Sequence, residues 1–326
     1  MNRTRIGVVG AGVIARRHVR TLARFDDVRV VAIADPDTER ARTLAGTVGA
    51  AVFADVDAML DEVRPDAVYV CVPPFAHGAP ELAAAARGLP FFVEKPLAAD
   101  LSTAEEIAAV VREKGLVTGV GYHWRWIDTV EHLQGLLAAR PARLAVGSWL
   151  DATPPVPWWQ RRDLSGGQLV EQVTHLVDTA RLLVGEIEEV HGFGARSERT
   201  GFPDSDVDDV TTVAVRFATG AVGTFVASCL LAGPHAVGLQ LVADGVVAEL
   251  TEKTLTVVDA DGREERTAEG DPFEREDRAF VDAVQGGPDR TRADYAEALH
   301  THRVTVTAAR SVAEGVPLRV PAGGGR

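Results

Sequence analysis

From residue 5 to about 121, short apolar runs alternate with segments whose apolar residues recur every three or four positions. The runs cover 5–10, 29–34, 67–72, 91–93 and 117–121 and are dominated by Val, Ile, Ala and Phe. They are continuous rather than alternating, the pattern of strands buried on both faces, and so predict a parallel sheet. Between them, 13–25, 38–47, 77–87 and 102–114 carry helical spacing. Repeated strand–helix alternation is the mark of a doubly wound α/β domain.

After about residue 125 the pattern changes. Helical spacing covers 129–139 and stops before Arg140-Pro141, a Pro- and Trp-rich loop covers 151–159, and a single helix is predicted over 167–184. Six strand-like runs follow, at 189–195, 209–217, 221–228, 237–243, 246–250 and 255–258. Thr219-Gly220 and Asp244-Gly245 separate neighbouring runs, and Asp-Gly is a two-residue hairpin signal, so these strands are expected to pair antiparallel. Helical patterns return at 273–285 and 294–313. The expectation is an N-terminal Rossmann domain over 1–125 and an α+β domain over 126–326, with the last helices free to pack back on the first. The Gly323-Gly324-Gly325 tail is expected to fray.

Composition narrows the function classes. The 326 residues suit about two domains, and 46% hydrophobic with 25% charged residues describes a folded chain. A net charge of −13 opposes sequence-independent binding to nucleic acid or anionic lipid, which leaves a small-molecule substrate as the expected partner. The apolar stretch 6–15 follows basic residues, but its glycines and the Arg16-Arg17-His18 that follows read as a strand entering a helix, not a signal peptide. No apolar segment has bilayer-spanning length. Cys71 and Cys229 lie in apolar runs without metal-ligand spacing, as expected of reduced core residues in the cytoplasm. His300 and His302 point to different sides of a helix, so no metal site is expected.

The first strand runs into Gly10-Ala11-Gly12-Val13-Ile14-Ala15, which opens the first helix. The first glycine suits a tight turn, the second allows backbone to approach a pyrophosphate, and small Ala15 permits close helix–strand packing. The second strand ends in Asp35, whose carboxylate suits ribose hydroxyls and would repel a 2′-phosphate. NAD is therefore expected over NADP. Asp35 could alternatively cap the following helix. Only three of the 34 basic residues are lysines, and Lys95 stands at the carboxyl end of a predicted buried strand, where open α/β sheets bind ligands. Unlike an arginine there, it can exchange protons near neutral pH; the alternative is a surface lysine paired with Glu94.

The glycine turn, Asp35, Pro73-Pro74 with His77, Glu94-Lys95-Pro96, 121–125 (Gly-Tyr-His-Trp-Arg), and Gly166-Gly167 ahead of Glu171 and His175 together resemble the glucose-fructose oxidoreductase / inositol dehydrogenase (Gfo/Idh/MocA) family along nearly the whole chain. The resemblance implies a large, mostly antiparallel open sheet in the second domain, often used to form homodimers or homotetramers, and a cis Lys95–Pro96 bond. It assigns the cofactor to Gly10, Gly12, Val13, Ile14, Asp35, Pro73, His77, Glu94 and Lys95. It also implies that Lys95 and an Asp-x-x-x-His pair face the reacting carbon. Here that pair reads Glu171 and His175, with Glu171 in place of the usual Asp and Val173 where a small residue is common. On one continuous helix Glu171, His175 and Asp178 share a face. Tyr122, His123, Arg125, Trp158, Arg162 and Asp178 are expected on the substrate side, where aromatic faces and polar groups suit a sugar or polyol. The implied activity is hydride transfer between NAD and a secondary alcohol; the alternatives are an NAD-retaining glycosidase and a non-catalytic NAD or sugar sensor.

Overall fold

The structure, a computed structural model, describes residues 3–322 and divides by internal contacts into two units. The first comprises 3–98, Ser102–His123 and Asp271–Leu299; the second comprises Ala99–Leu101, Trp124–Gly270 and 300–322.

The first unit opens β1 (Thr4–Val9), α1 (Val13–Leu22), β2 (Val28–Ala34), α2 (Thr38–Gly46), β3 (Ala51–Phe53), α3 (Val56–Val63), β4 (Ala67–Val70), α4 (Ala79–Ala86), β5 (Phe91–Val93), α5 (Leu101–Lys114) and β6 (Thr118–Val120). Its sheet has the order β3-β2-β1-β4-β5-β6 and is parallel throughout. Ile6, Val8, Val30, Ile33, Tyr69 and Phe92 are buried from it against Ala15, Val19 and Leu22 of α1. The order reverses direction at β1, so β1 and β4 leave at the switch point where such sheets receive ligands. The sequence pattern missed β3 and α3.

The chain continues with α6 (Asp128–Ala139), β7 (Leu144–Ala152), α7 (Arg162–Ser165), α8 (Gln168–Glu171), α9 (Thr174–Val184), β8 (Ile187–Ala195), β9 (Val210–Phe217), β10 (Val222–Leu231), β11 (Ala236–Ala243), β12 (Val246–Leu250), β13 (Thr254–Asp259) and β14 (Gly262–Thr267). After α10 (Pro272–Val284) and α11 (Tyr295–Glu314), β15 (Leu318–Arg319) closes the order. The second unit's sheet runs β14-β13-β12-β11-β7-β10-β9-β8-β15. Its pairs are antiparallel except β10 with β7. One face alternates inward, burying Val213, Val215, Phe225, Leu239 and Leu241 against Leu176, Val177 and Ala180 of α9.

One expectation needs correction and one strand was unassigned. The single helix predicted over 167–184 is interrupted: α8 ends at Glu171 and α9 begins at Thr174, with Gln172 and Val173 between. β7, which the pattern did not assign, is central in its sheet, and its Gly147 leaves room for the ring of Phe225. Helix α10 belongs to the first unit, where Phe280 and Val281 join the core of the parallel sheet.

Candidate functional site

The dinucleotide turn is built as its chemistry requires. Gly10 has φ +93°, and a Cβ there would lie 2.2 Å from the carbonyl oxygen of Cys71, so both conformation and space exclude a side chain. Gly12 caps α1 without a side-chain bond, a Cβ there would meet no heavy atom within 4 Å, and Val13 is 85% exposed. The first N–H groups of α1, beside Val13 and Ile14, therefore open onto a cradle that fits a pyrophosphate. Asp35 accepts the Ala11 N–H at 2.8 Å through Oδ2 and the Asp37 N–H at 2.8 Å through Oδ1, tying the end of β2 to the turn. The α2 cap is Asp37, not Asp35.

Beyond β4, Pro73 precedes a 3₁₀ turn, Pro74–Ala76, and His77 turns inward. Its Nδ1 lies 2.5 Å from Glu81, whose other oxygen accepts the Gly78 N–H at 2.8 Å. At the end of β5, Glu94 is buried, Lys95 is half-buried and the Lys95–Pro96 bond is cis. Glu94 accepts the Lys95 N–H at 3.1 Å. Beyond β6, Tyr122 is buried and His123 stacks on Phe273 at 4.4 Å.

Behind Glu94 lies a titratable cluster that sequence reasoning did not assemble. His18 of α1 places Nε2 3.0 Å from Glu94 Oε1 and Nδ1 2.8 Å from Asp277 Oδ1, all three side chains buried. Burial pulls the imidazole towards its neutral form, but Asp277 and Glu94 more than offset this and hold its pKa well above the ordinary value. Burial raises neighbouring Glu276 well above the carboxylate range, and raises Asp277 against the pull of His18. The sequence signal was available: His18 interrupts the apolar stripe of Ala15, Val19 and Leu22, a core position that a polar residue occupies only with partners.

In the second unit His175 is buried between two indoles, its ring 6.1 Å from Trp149 and 6.5 Å from Trp124, near parallel to both. Glu171 accepts the indole N–H of Trp159 at 3.0 Å. Sequence reasoning did not name Trp149 as a site residue, and it placed Trp159 in a loop bordering the cleft without its bond to Glu171. Arg125 and Asp178, expected on the substrate side, are given to each other: two 2.7 Å bonds join buried side chains, and Thr301 adds a third at 2.8 Å to Asp178. Arg162 is held by Asp206 and Asp208 and lines a small open depression with Gly166, Gly167 and Gln168. Trp158 packs with Trp159, Val207 and Cys229 in a small satellite cluster.

Known proteins resemble this chain in sequence and in fold. Residues 4–122 match a family model described as an oxidoreductase family with an NAD-binding Rossmann fold, and 140–251 match the GFO/IDH/MocA C-terminal domain. An inositol 2-dehydrogenase of Saccharopolyspora erythraea is 31% identical over 228 residues, covering 68% of this chain and 65% of that protein. A 2,7-anhydro-N-acetylneuraminate hydratase of Mediterraneibacter gnavus is 27% identical over 218 residues, covering 65% and 58%. Alignments with such curated relatives thus span about three fifths of the relatives' length. A levoglucosan dehydrogenase solved with NADH and levoglucosan has a TM-score of 0.87 at 22% identity, covering 99% of this chain and 100% of that one, which shows the shared fold.

Proposed function

Because the chain belongs to the Gfo/Idh/MocA oxidoreductase family, we propose that it is an NAD(H)-dependent oxidoreductase acting on a secondary alcohol or ketone of a sugar, cyclitol or related polyol. The observation that carries this reading is the open, uncapped start of α1 at the Gly10–Gly12 turn, in one unit with Lys95 at the carboxyl end of β5.

Bound NAD supplies the hydride acceptor or donor at its nicotinamide. The turn's N–H groups receive the pyrophosphate, and Asp35, anchored at the end of β2, takes ribose hydroxyls through its remaining lone pairs and disfavours NADP. Pro73 lines the cofactor side, and buried His77, bonded to Glu81, fixes the turn that follows it. Lys95 orients the reacting oxygen and stabilises charge developing on it, and His175 exchanges the hydroxyl proton. Glu171, fixed by Trp159, tunes that exchange. Tyr122, His123, Trp158 and Arg162 serve the substrate side, while Arg125 and Asp178 brace α9, which carries His175.

The test is a panel of myo-inositol, levoglucosan and nucleotide sugars with NAD or NADP, followed by reduced-nicotinamide absorbance. NADH formation with NAD supports the reading; absence of nicotinamide binding refutes it. A second reading, transient oxidation by retained NAD to assist elimination or hydration, is favoured by the hydratase among the relatives. It predicts product without net NADH.

The two cysteines are buried and unpaired, in keeping with a cytoplasmic setting, and among the described residues no helix is long and apolar enough to cross a membrane. Exposed Phe193, Val222, Leu230 and Val258 on the second unit's sheet support assembly into a homodimer or homotetramer, to be checked by light scattering.

A further inference from the structure

The cluster behind the lysine triplet contains groups that the proposed reaction does not use. Glu94 links them to Lys95: one oxygen faces His18 at 3.0 Å, and the other accepts the Lys95 N–H at 3.1 Å. His18 in turn meets Asp277 of α10 at 2.8 Å. An unbroken run of hydrogen bonds thus joins α10, α1 and the backbone of Lys95. The room for it is specific, because a Cβ at Gly121 would lie 2.5 Å from Glu94 Oε1. The ring is also confined, with Phe92 at 5.0 Å, Tyr69 at 5.4 Å and Phe273 at 5.8 Å between centroids.

We propose that His18 is a positioning residue for Lys95: bonded at once to Asp277 and Glu94, it fixes the Glu94 carboxylate and, through it, the backbone from which the lysine side chain projects. This deepens the oxidoreductase reading and rests on the role given there to Lys95. Both ring nitrogens face carboxylates, and only the imidazolium supplies two donors. The titratable groups around it are Glu94 from β5, Glu276 and Asp277 from α10, and Tyr69 and Cys71 from β4 and its end. Loss of the imidazolium proton releases one of the two carboxylates, so the cluster sets an alkaline limit on turnover.

Three variants separate positioning from mere packing. In His18→Gln the side-chain amide can still donate to Glu94; His18→Asn reaches only Asp277; His18→Phe fills the space and bonds neither. Each is compared with wild type and Lys95→Met for turnover of the panel above, for NAD affinity by titration, and for hydrogen exchange at the Lys95 amide. The expected result is a kcat lower by about 100-fold in the Asn and Phe variants but within about tenfold in the Gln variant, as misplacement by about 1 Å would cause. NAD affinity stays within about twofold throughout, since the loss belongs to the chemical step. The Lys95 amide exchanges faster in the Asn and Phe variants only.

Equal losses in all three variants, or unchanged Lys95 exchange in the Phe variant, would overturn the proposal. One tightly held divalent cation per chain, found by elemental analysis of the purified protein, would do so too, because His18, Glu94 and Glu276 offer donor atoms within 4.8 Å of one another and the ring would then be a ligand. If the His18 variants fail to fold, Asp277→Asn should shift the alkaline limb of kcat to lower pH at unchanged NAD affinity; an unmoved limb overturns the proposal. Retained turnover in Lys95→Met refutes the oxidoreductase role of the lysine instead, and Lys95 amide exchange still decides whether His18 positions its backbone.

Discussion

Arg125 and Asp178 show how one residue pair can be named from sequence while its surroundings stay hidden. Both were expected on the substrate side, yet their side chains are 3% and 0% exposed and bonded to each other. Breaking a buried pair strands a charge, so Arg125→Ala should cost about 3–5 kcal/mol, measured by urea unfolding. Trp159 is the reverse case, a residue whose task only the structure supplies. Trp159→Phe keeps the ring but removes the donor to Glu171; kcat should fall about tenfold, the effect of losing one hydrogen bond to a charged group, with NAD affinity unchanged. The geometry of the glycine turn and the place of Lys95 at the end of β5 were legible because local spacing marks both. His18 stood out in an apolar stripe, but its partners did not, because 94 and 276–277 meet it only when α10 joins the parallel sheet.

At the scale of elements, α10 has more than a packing role in the first unit. Phe280, fully buried beside Tyr69 and Phe92, makes Phe280→Ala worth about 3–5 kcal/mol of stability. The same helix brings Glu276 and Asp277 into the core, and their pKa values are raised by burial. A carboxyl raised in the folded state binds protons that the unfolded chain has released, so stability falls as pH rises above the unfolded value of about 4.3 for Glu. His18 adds to the same trend: its raised pKa contributes stability present below about 6.5 and lost as pH rises through the folded value. Glu276→Gln should therefore stabilise the protein increasingly as pH rises from about 5 towards neutrality, read from melting curves; a gain independent of pH would contradict this linkage.

The elements themselves were readable wherever burial was two-sided or cleanly alternating. β3 has three residues at an edge, and every residue of β14 is exposed, so neither leaves a hydrophobic signature. β7 was missed because Gly147 and Ser148 interrupt its apolar run. The break between α8 and α9 falls at Gln172 and Val173, both buried in a stretch whose periodicity is unbroken, so only tertiary packing reveals it.

For the whole molecule, the charge of −13 opposes sequence-independent binding to nucleic acid or anionic lipid. The chain leaves the first unit near His123 and re-enters it at Asp271, so the cofactor-side residues depend on segments far apart in sequence. Removal of 271–326 should accordingly abolish NAD binding along with the fold of the first unit, by taking away Phe280 and Asp277; a truncated chain that still binds NAD would contradict this dependence. The most direct measurement is NADH formation by wild type and Lys95→Met with NAD and the polyol and sugar panel. NADH is expected from the wild type with at least one polyol or sugar, and almost none from the variant although it still binds NAD; comparable NADH from both would contradict the role given to the lysine.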